Sequence, residues 1–436
     1  MLNSIKSKVI FSKVFSNMKK LMRMKILKYN KQLQAKLYLN LKDFEDYPLL
    51  KQLNQKLNLD IQDTDIEQLD LKQKIKDFSA LECINKINFK YLKVLKLNDN
   101  NLKDINFLAN KNCELLEVLN LGNNELTEVN ALEKSNLKQL KELYLYNNQL
   151  KENNGLEKIQ FEKIEILVLN HNEELYSINF LENEGFKNLK YLSINYSEIK
   201  DISVLSRAKF ENLEILDLNL TCAPDLDILT KVNFKKLKEL YLGMGDKLDI
   251  KFFENLKFDN LEILDLCYYE IDDITPIKYL NCNNLKKVYL ANITISDLGF
   301  LEEIKFEELQ ELYLSHNYIE KIDALERVNM PKLKVLDLSD NKITDITVLE
   351  NIKMEQLEEL YLSNNLIVNI NTLENWKLNN LKILFLDCNE ISDISVFEKD
   401  ILTNLEKLNL LFNSAHNSDN RPLFSKLRSK LKELIL

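Results

Sequence analysis

One hydrophobic pattern of 24 residues repeats along most of the chain, and residues 333–356 (LKVLDLSDNKITDITVLENIKMEQ) show it best. Its fixed positions are Leu333, Leu336, Leu338, Asn341, Ile343, Ile346 and Leu349. The same frame begins with leucine, or isoleucine in its place, at residues 92, 116, 140, 164, 189, 213, 237, 261, 285, 309, 333, 357, 381 and 405. The step is 24 residues, except for 25 between Ile164 and Leu189. Self-similarity at such a period indicates a stack of repeats in which each turn contacts its neighbours.

Each turn is predicted to contain one short strand and one helical turn. The period-two alternation of LKVLDL predicts a strand in which Leu336 and Leu338 point into the core and Asp337 points out. Asn341 then turns the chain, because a side-chain amide can bond backbone groups that leave the strand. The segment VLENIK predicts a short helix or helical turn. Since helices need more width than strands, we expect parallel strands, about 4.8 Å apart, on the concave side of a curved stack.

This pattern resembles the leucine-rich repeat family, whose signature LxxLxLxxN stands at residues 381–389. The resemblance covers residues 66–436 and implies an α/β solenoid, a horseshoe with a parallel β-sheet on its concave face and short helices or helical turns on its convex face. The tail of each repeat, Ile-x-Asp-Ile-x-x-Leu at residues 343–349, resembles the subclass that includes the regulatory subunit of protein phosphatase one and the bacterial internalins. Turns of 24 residues are longer than is usual for that subclass.

Three segments follow from the pattern. Residues 1–40 form a basic leader, which we expect to be flexible or helical. Residues 41–91 show helical spacing of leucines and one degenerate repeat. We expect them to form a helical N-terminal cap, because an open solenoid end exposes its core and an unpaired strand edge. Residues 92–436 hold fourteen regular turns and a terminal strand, and the frame is lost over residues 413–424, where we expect an irregular loop.

Charge is divided unevenly along the chain. Residues 1–42 hold eleven Lys or Arg and no acid, so a net charge of −9 for the whole chain leaves −20 for residues 43–436. An acidic body disfavours nucleic acid as a partner and favours a basic protein or peptide. The leader has three interpretations: a solvated basic tail, a mitochondrial presequence, or an internal ligand that folds onto the acidic body. No stretch is long and apolar enough to predict a membrane span.

Sequence motifs of catalysis are absent. The chain contains no P-loop, HExxH or GxSxG motif, and its three histidines are remote from one another. We therefore expect a protein that is not an enzyme and that uses no cofactor or metal. Its six cysteines form no CxxC pair, which favours a reduced compartment. The expected location is the cytoplasm; the nucleus, or the mitochondrion if residues 1–40 are a presequence, are alternatives.

Two further columns of the repeat are informative. The residue after the first leucine alternates between Lys and Glu, as in Lys238 and Glu262, with a neutral break at Gln310. This alternation predicts favourable charge pairs between adjacent strands. The asparagine is replaced in five successive turns, by Ser197, Thr221, Gly245, Tyr269 and Ile293. Tolerated drift and a central segment of altered curvature both fit these replacements.

The outward positions of the strands are rich in tyrosine and carboxylates. Such a mixture suits a protein-binding surface, because tyrosine buries much area with little loss of rotamer freedom. The outward columns contain ten acidic residues and only three basic ones, Lys96, Lys287 and Lys407. The candidate protein-binding residues are Glu142, Tyr144, Asp217, Glu239, Tyr241, Asp265, Tyr289, Glu311, Tyr313, Asp337, Glu359, Tyr361 and Phe385. The strand propensity of tyrosine is an alternative explanation for part of this pattern.

The sequence thus favours a non-catalytic protein–protein interaction scaffold that binds a basic partner on an acidic, aromatic concave face. The resemblance implies two alternatives, a regulatory subunit of a protein phosphatase and a bacterial surface or secreted adhesin similar to internalins. An adhesin of that kind would need a signal peptide, and residues 1–40 lack the long apolar segment of one.

Overall fold

The computed structural model describes residues 67–75 and 92–436, apart from residues 110, 112, 153, 220–224, 281, 400, 402 and 416–419. The basic leader and most of the predicted N-terminal cap therefore lie outside the described residues. The chain divides into two compact units, the first ending at Asn188 and the second beginning at Leu189. Each unit is a stack of turns, and each is described by itself.

Short parallel strands follow one another in chain order within each unit. In the first unit they are β1 Gln68–Asp70, β2 Val94–Lys96, β3 Val118–Asn120, β4 Glu142–Tyr144 and β5 Ile166–Val168. In the second unit they are β6 Tyr191–Ser193, β7 Ile215–Asp217, β8 Glu239–Tyr241, β9 Ile263–Asp265, β10 Lys287–Tyr289, β11 Glu311–Tyr313, β12 Val335–Asp337, β13 Glu359–Tyr361, β14 Ile383–Phe385, β15 Lys407–Asn409 and β16 Glu433–Ile435. Paired residues such as Leu312 and Leu336 are one repeat apart. The predicted solenoid with a parallel sheet is confirmed.

The core lies on one side of each sheet because the strands alternate. In β11, Leu312 is buried, whereas Glu311 and Tyr313 on the opposite side are half-buried. Burying one leucine side chain contributes about 1.5–3 kcal/mol relative to leaving it exposed, so the repeated leucines are the main stabilising term. Phenylalanines fill the far side of the core, and the rings of Phe161 and Phe186 lie 5.3 Å apart.

The return segments that follow β2 to β14 form 3₁₀-helices. In the first unit these helices are Asn106–Leu108, Asn130–Lys134, Leu156–Lys158, Asn179–Glu182 and Glu184–Phe186. In the second unit they are Ser203–Ser206, Leu226–Thr230, Ile250–Asn255, Thr275–Tyr279, Gly299–Glu303, Asp323–Glu326, Thr347–Glu350, Asn371–Asn375 and Ser395–Glu398. Aspartates start several of them; Asp345 Oδ1 accepts a hydrogen bond from the backbone N–H of Thr347 at 2.8 Å. Such turns on Asp side chains favour helix initiation, and the predicted helical turns are confirmed.

The repeated asparagine ties each turn to the turn before it. Asn341 Nδ2 donates to the carbonyl oxygens of Leu314, Leu338 and Ser339, each at 3.0 Å. Its Oδ1 accepts from the backbone N–H of Ile319 at 3.0 Å. Equivalent bonds are formed by Asn124, Asn148, Asn172, Asn317, Asn365, Asn389 and Asn413. The turning role predicted for this asparagine is confirmed.

Replacements of that asparagine remove most of these bonds. Ser197 Oγ donates only one long bond among the described residues, to the carbonyl oxygen of Asn195 at 3.5 Å. Gly245 has no side chain that could form such hydrogen bonds, and Thr221 lies outside the described residues. The turns that contain Ser197 and Gly245 therefore depend more on their leucines and strand pairs.

The end of the chain differs from the irregular loop expected there. Residues Arg421–Lys430 form an α-helix, α1, in which Leu423 and Leu427 are buried. Their spacing of four residues places them on one helix face, and Pro422 stands in the first turn, where its missing N–H costs nothing. The expectation of irregular structure is therefore wrong for residues 421–424. Strand β16 follows and pairs with β15.

Candidate functional site

The candidate residues lie on the side of the sheet opposite the leucine core. In the second unit we call this side, over β8–β14, the exposed face. Nine of the thirteen candidates are Glu239, Tyr241, Asp265, Tyr289, Glu311, Tyr313, Asp337, Glu359 and Tyr361, and Phe385 follows them on β14. All ten are half-buried. Glu142 and Tyr144 occupy the same positions on β4 of the first unit and are half-buried too.

Tyrosine and glutamate form hydrogen-bonded pairs along single strands. Tyr241 Oη donates to Glu239 Oε2 at 2.8 Å, and the same bond joins Tyr144 to Glu142, Tyr313 to Glu311 and Tyr361 to Glu359 at 2.8, 3.0 and 2.6 Å. The two members of a pair are two residues apart, so they share one face of the sheet. The spacing of the two residues did not reveal this bond, because it depends on side-chain rotamers.

These bonds hold the phenols in place and keep them protonated. Burial, together with the hydrogen bond to the neighbouring glutamate, raises the pKa of Tyr241, Tyr313 and Tyr361 above the ordinary value for a phenol. Burial also raises the pKa of Tyr289. The exposed face therefore presents neutral phenols beside its carboxylates.

Aromatic rings meet across neighbouring strands of the exposed face. The rings of Tyr289 and Tyr313 stack with centroids 4.6 Å apart and an angle of 7° between their planes. The rings of Tyr361 and Phe385 meet edge to face, 5.2 Å apart at 88°. Such pairs contribute about 0.5–1.5 kcal/mol beyond their area burial, which favours these stacked and edge-to-face arrangements.

Two aspartates stand between the rings. Asp265 Oδ1 accepts from the backbone N–H of Cys267 at 2.9 Å, and Asp337 Oδ1 accepts from the backbone N–H of Ser339 at 2.9 Å. These bonds fix each carboxylate at the end of its strand. Neither carboxylate forms an ion pair with any described residue.

Asp217 differs from the other candidates because it is buried. Only 8% of it is exposed, and its Oδ2 accepts hydrogen bonds from Ser193 Oγ at 2.6 Å and Asn195 Nδ2 at 2.7 Å. Burial raises the pKa of Asp217, while these bonds act in the opposite direction. Its carboxylate is thus covered and hydrogen-bonded by neighbouring side chains, which favours a structural role over the binding role predicted from sequence.

The bases that the sequence places among the outward residues are all paired with acids. Lys287 lies 2.9 Å from Glu311, and Lys407 lies 2.9 Å from Glu433 in the second unit. In the first unit Lys96 lies 3.7 Å from Asp70. The positive charges are therefore neutralised locally, and the exposed face stays acidic. The pairing of Lys287 with Glu311 was not predicted, although their equivalent positions at the start of neighbouring strands indicate it.

The alternating column of Lys and Glu beside these residues forms the predicted charge pairs. Lys141 lies 2.7 Å from Glu117 in the first unit, and Lys238 and Lys286 lie 2.7 Å from Glu214 and Glu262 in the second. Exposed pairs of this kind contribute about 0–1 kcal/mol each and weaken in salt. Their pairing supports the structural interpretation of this column over a binding role.

Within the described ranges, no group of three His, Cys, Asp or Glu side chains is arranged to hold a metal ion. The part of the chain that the structure describes has no helix of the length and apolarity needed to cross a bilayer. His316 Nε2 lies 3.5 Å from Asp340 Oδ2 at the strand exit, and His416 is outside the described residues.

Family sequence models match two parts of the chain. The one described as leucine rich repeat matches residues 90–150, and the one described as leucine rich repeats (2 copies) matches residues 307–351. The chain is a leucine-rich repeat protein. A search of the curated proteins gives no match for this leucine-rich repeat protein.

Solved structures similar to this leucine-rich repeat protein come from several organisms. The internalin inlF of Listeria monocytogenes has 25% identity and a TM-score of 0.55, with 83% of this chain and 94% of that chain covered. A leucine-rich repeat protein of Leptospira interrogans has 23% identity and a TM-score of 0.64, with 88% and 98% covered. The Toll–Spatzle complex of Drosophila has 18% identity and a TM-score of 0.54, with 74% and 44% covered. The last two likenesses show the shared fold alone.

Proposed function

We propose that this leucine-rich repeat protein is a non-catalytic scaffold that binds a basic protein or peptide on the exposed face of β8–β14. The observation that carries the proposal is the row of half-buried phenols held by Glu on their own strands, as Tyr313 is held by Glu311. The core does not require these side chains, because the leucines of the same strands already fill it.

The arrangement suits binding for two physical reasons. Rings fixed by stacking and hydrogen bonds lose little conformational entropy when a partner covers them, so more of the contact energy appears as affinity. The carboxylates between the rings give the face a single charge sign, which attracts Lys and Arg and repels acidic partners. No bond is made or broken in such a role.

A capture experiment with matched variants tests the proposal. The face variant is Tyr289→Ala/Tyr313→Ala/Tyr361→Ala, and the control variant is Tyr176→Ala/Tyr279→Ala/Tyr318→Ala, which removes three exposed tyrosines outside the strands. Proteins captured by tagged wild type and by each variant are identified and quantified by mass spectrometry.

We expect the face variant to lose a basic partner by more than about tenfold, equivalent to about 1.4 kcal/mol, because anchoring aromatic residues dominate such interfaces. The control variant should capture as much of that partner as wild type. Equal capture by wild type and the face variant would show that the partner binds elsewhere.

An internalin-like adhesin is a second candidate, favoured by the 25% identity to the Listeria internalin over most of both chains. Protease treatment of intact cells separates the two: an adhesin is cleaved, whereas the cytoplasmic scaffold that we propose is protected. The role of a phosphatase regulatory subunit is a narrower form of the scaffold proposal. Recovery of a phosphatase catalytic subunit that the face variant fails to capture would support it.

A further inference from the structure

Six outward positions on consecutive strands form a palindromic row. From β8 to β13 the row reads Tyr241, Asp265, Tyr289, Tyr313, Asp337 and Tyr361, and strand pairing places each residue beside the next. The stacked rings of Tyr289 and Tyr313 are at its centre. Asp265 and Asp337 therefore stand symmetrically on either side of one aromatic platform.

The separation of the two aspartates limits the shape of a ligand. They are three strands apart, and strands in a sheet are about 4.8 Å apart, so the positions lie about 14 Å from each other. In an extended peptide, residues four apart are separated by about 13.5 Å and point to the same side. A helix returns to about one face after seven, eight or eleven residues, at about 10.5, 12 or 16.5 Å, so the extended spacing is the nearest match.

The chemistry of the row defines the side chains of that ligand. Asp265 and Asp337 carry negative charge without an ion pair among the described residues, and their backbone bonds fix their positions. Each can pair with a cation. The residue midway between the two cations of an extended peptide would lie over the Tyr289–Tyr313 stack, which suits an apolar side chain.

We propose that the exposed face recognises an extended segment of a partner protein that carries two Lys or Arg four residues apart with an apolar residue midway. This inference rests on the proposed function and names the ligand of the same face. Lys287 does not compete for the two aspartates, since it is paired with Glu311 at 2.9 Å.

Peptide binding to the full-length chain tests the spacing. Fluorescein-labelled peptides of one composition place two lysines two, three, four or six residues apart in a Ser/Thr background with one leucine between them, and anisotropy gives each Kd. We expect the four-residue spacing to bind at least about tenfold more tightly than the others, because it places both cations on one side of an extended peptide at the separation of the two carboxylates. Equal affinities at all spacings, or no binding of any peptide at millimolar concentration, overturn the inference.

Two aspartate variants and a control locate the effect. Asp265→Asn or Asp337→Asn should each remove the preference for the four-residue spacing, whereas Asp259→Asn, an exposed residue outside the strands, should leave it unchanged. Persistence of the preference in both aspartate variants overturns the inference. If the preference is absent but the face variant still loses its captured partner, only this inference fails; if the face variant keeps that partner, the proposed function fails.

One further variant tests whether the ligand of the exposed face is a partner protein or the basic leader of the same chain. Residues 1–42 contain a single basic pair four residues apart, Lys19 and Arg23, with Leu21 midway. A partner ligand predicts that Lys19→Gln/Arg23→Gln leaves the Kd of the four-residue peptide unchanged. A tightening of tenfold or more would show that the leader competes for the face, and would overturn the assignment to a partner protein.

Discussion

The ring of Tyr269 occupies the space that a side chain at Gly245 would need. A Cβ atom built on Gly245 would lie 2.1 Å from Cε1 of Tyr269, far inside van der Waals contact. Both residues stand where other turns have the bridging asparagine. Tyr269 is only 9% exposed, and burial raises its pKa to about 12. Two of the five replacements are therefore a matched pair, in which a missing side chain in one turn accommodates a large one in the next.

This pairing predicts a coupled effect of mutations on stability. Gly245→Asn alone should lower the free energy of unfolding by about 1–3 kcal/mol, because it overpacks the site against Tyr269. Tyr269→Asn alone should leave a cavity. The double variant restores the asparagine pattern of the other turns and should be more stable than either single variant. Urea unfolding of all four proteins measures the coupling, and strictly additive losses would contradict the matched pair.

The asparagine bonds predict a second effect on stability. Asn341→Ala should lower the free energy of unfolding by at least about 2 kcal/mol, because it leaves buried carbonyl oxygens such as that of Leu314 without a donor. Ser197→Ala removes only a long bond and should cost less than about 0.5 kcal/mol. Chemical denaturation compares the two. Losses of equal size would mean that the amide bonds do not stabilise the stack.

The Tyr–Glu pairs predict that stability falls in alkali. The pKa of Tyr241, Tyr313 and Tyr361 is raised in the folded chain, so the folded state binds these protons more tightly than the unfolded state. That contribution is complete below the unfolded pKa of about 10 and is lost as pH rises through the folded values. The free energy of unfolding should therefore decrease above about pH 10.

A variant separates the effect of the three phenols on stability from that of lysines, which lose their protons in the same pH range. In Tyr241→Phe/Tyr313→Phe/Tyr361→Phe, the free energy of unfolding should decrease less between pH 8 and pH 11 than it does in wild type. This holds whether or not the two proteins differ in stability at pH 8. Urea unfolding at both pH values provides the comparison. An identical decrease in the two proteins would exclude these three phenols as its source.

Much of the fold could be predicted because its determinants are local and repeated. The leucine frame fixed the strands, as with Leu312 and Leu336, and the alternation of Lys238 and Glu262 correctly implied charge pairing along that column. The turning role of Asn341 followed from the chemistry of its amide. These inferences needed only the spacing of residues, since identical turns place identical positions side by side.

Features that depend on particular neighbours could not be predicted in this way. Asp217 has the sequence position of Asp265, yet it is buried because Ser193 and Asn195 on the preceding turn bond to it. In the sequence, Tyr269 and Gly245 stand out only as two positions that lack the repeated asparagine, and nothing there shows that they pack against each other. Helix α1 was missed because the leucine frame ends there, although Leu423 and Leu427 already have helical spacing.

Photo-cross-linking from within the exposed face is the most direct test of the account. The partner recovered by capture is incubated with full-length protein carrying p-benzoyl-phenylalanine in place of Tyr313, or in place of Tyr318 as a control outside the strands, and irradiated. The account predicts a cross-linked product from position 313, mapping to a basic segment of the partner, and none from position 318. A cross-link from position 318 alone would place the partner on another surface and contradict binding by the exposed face.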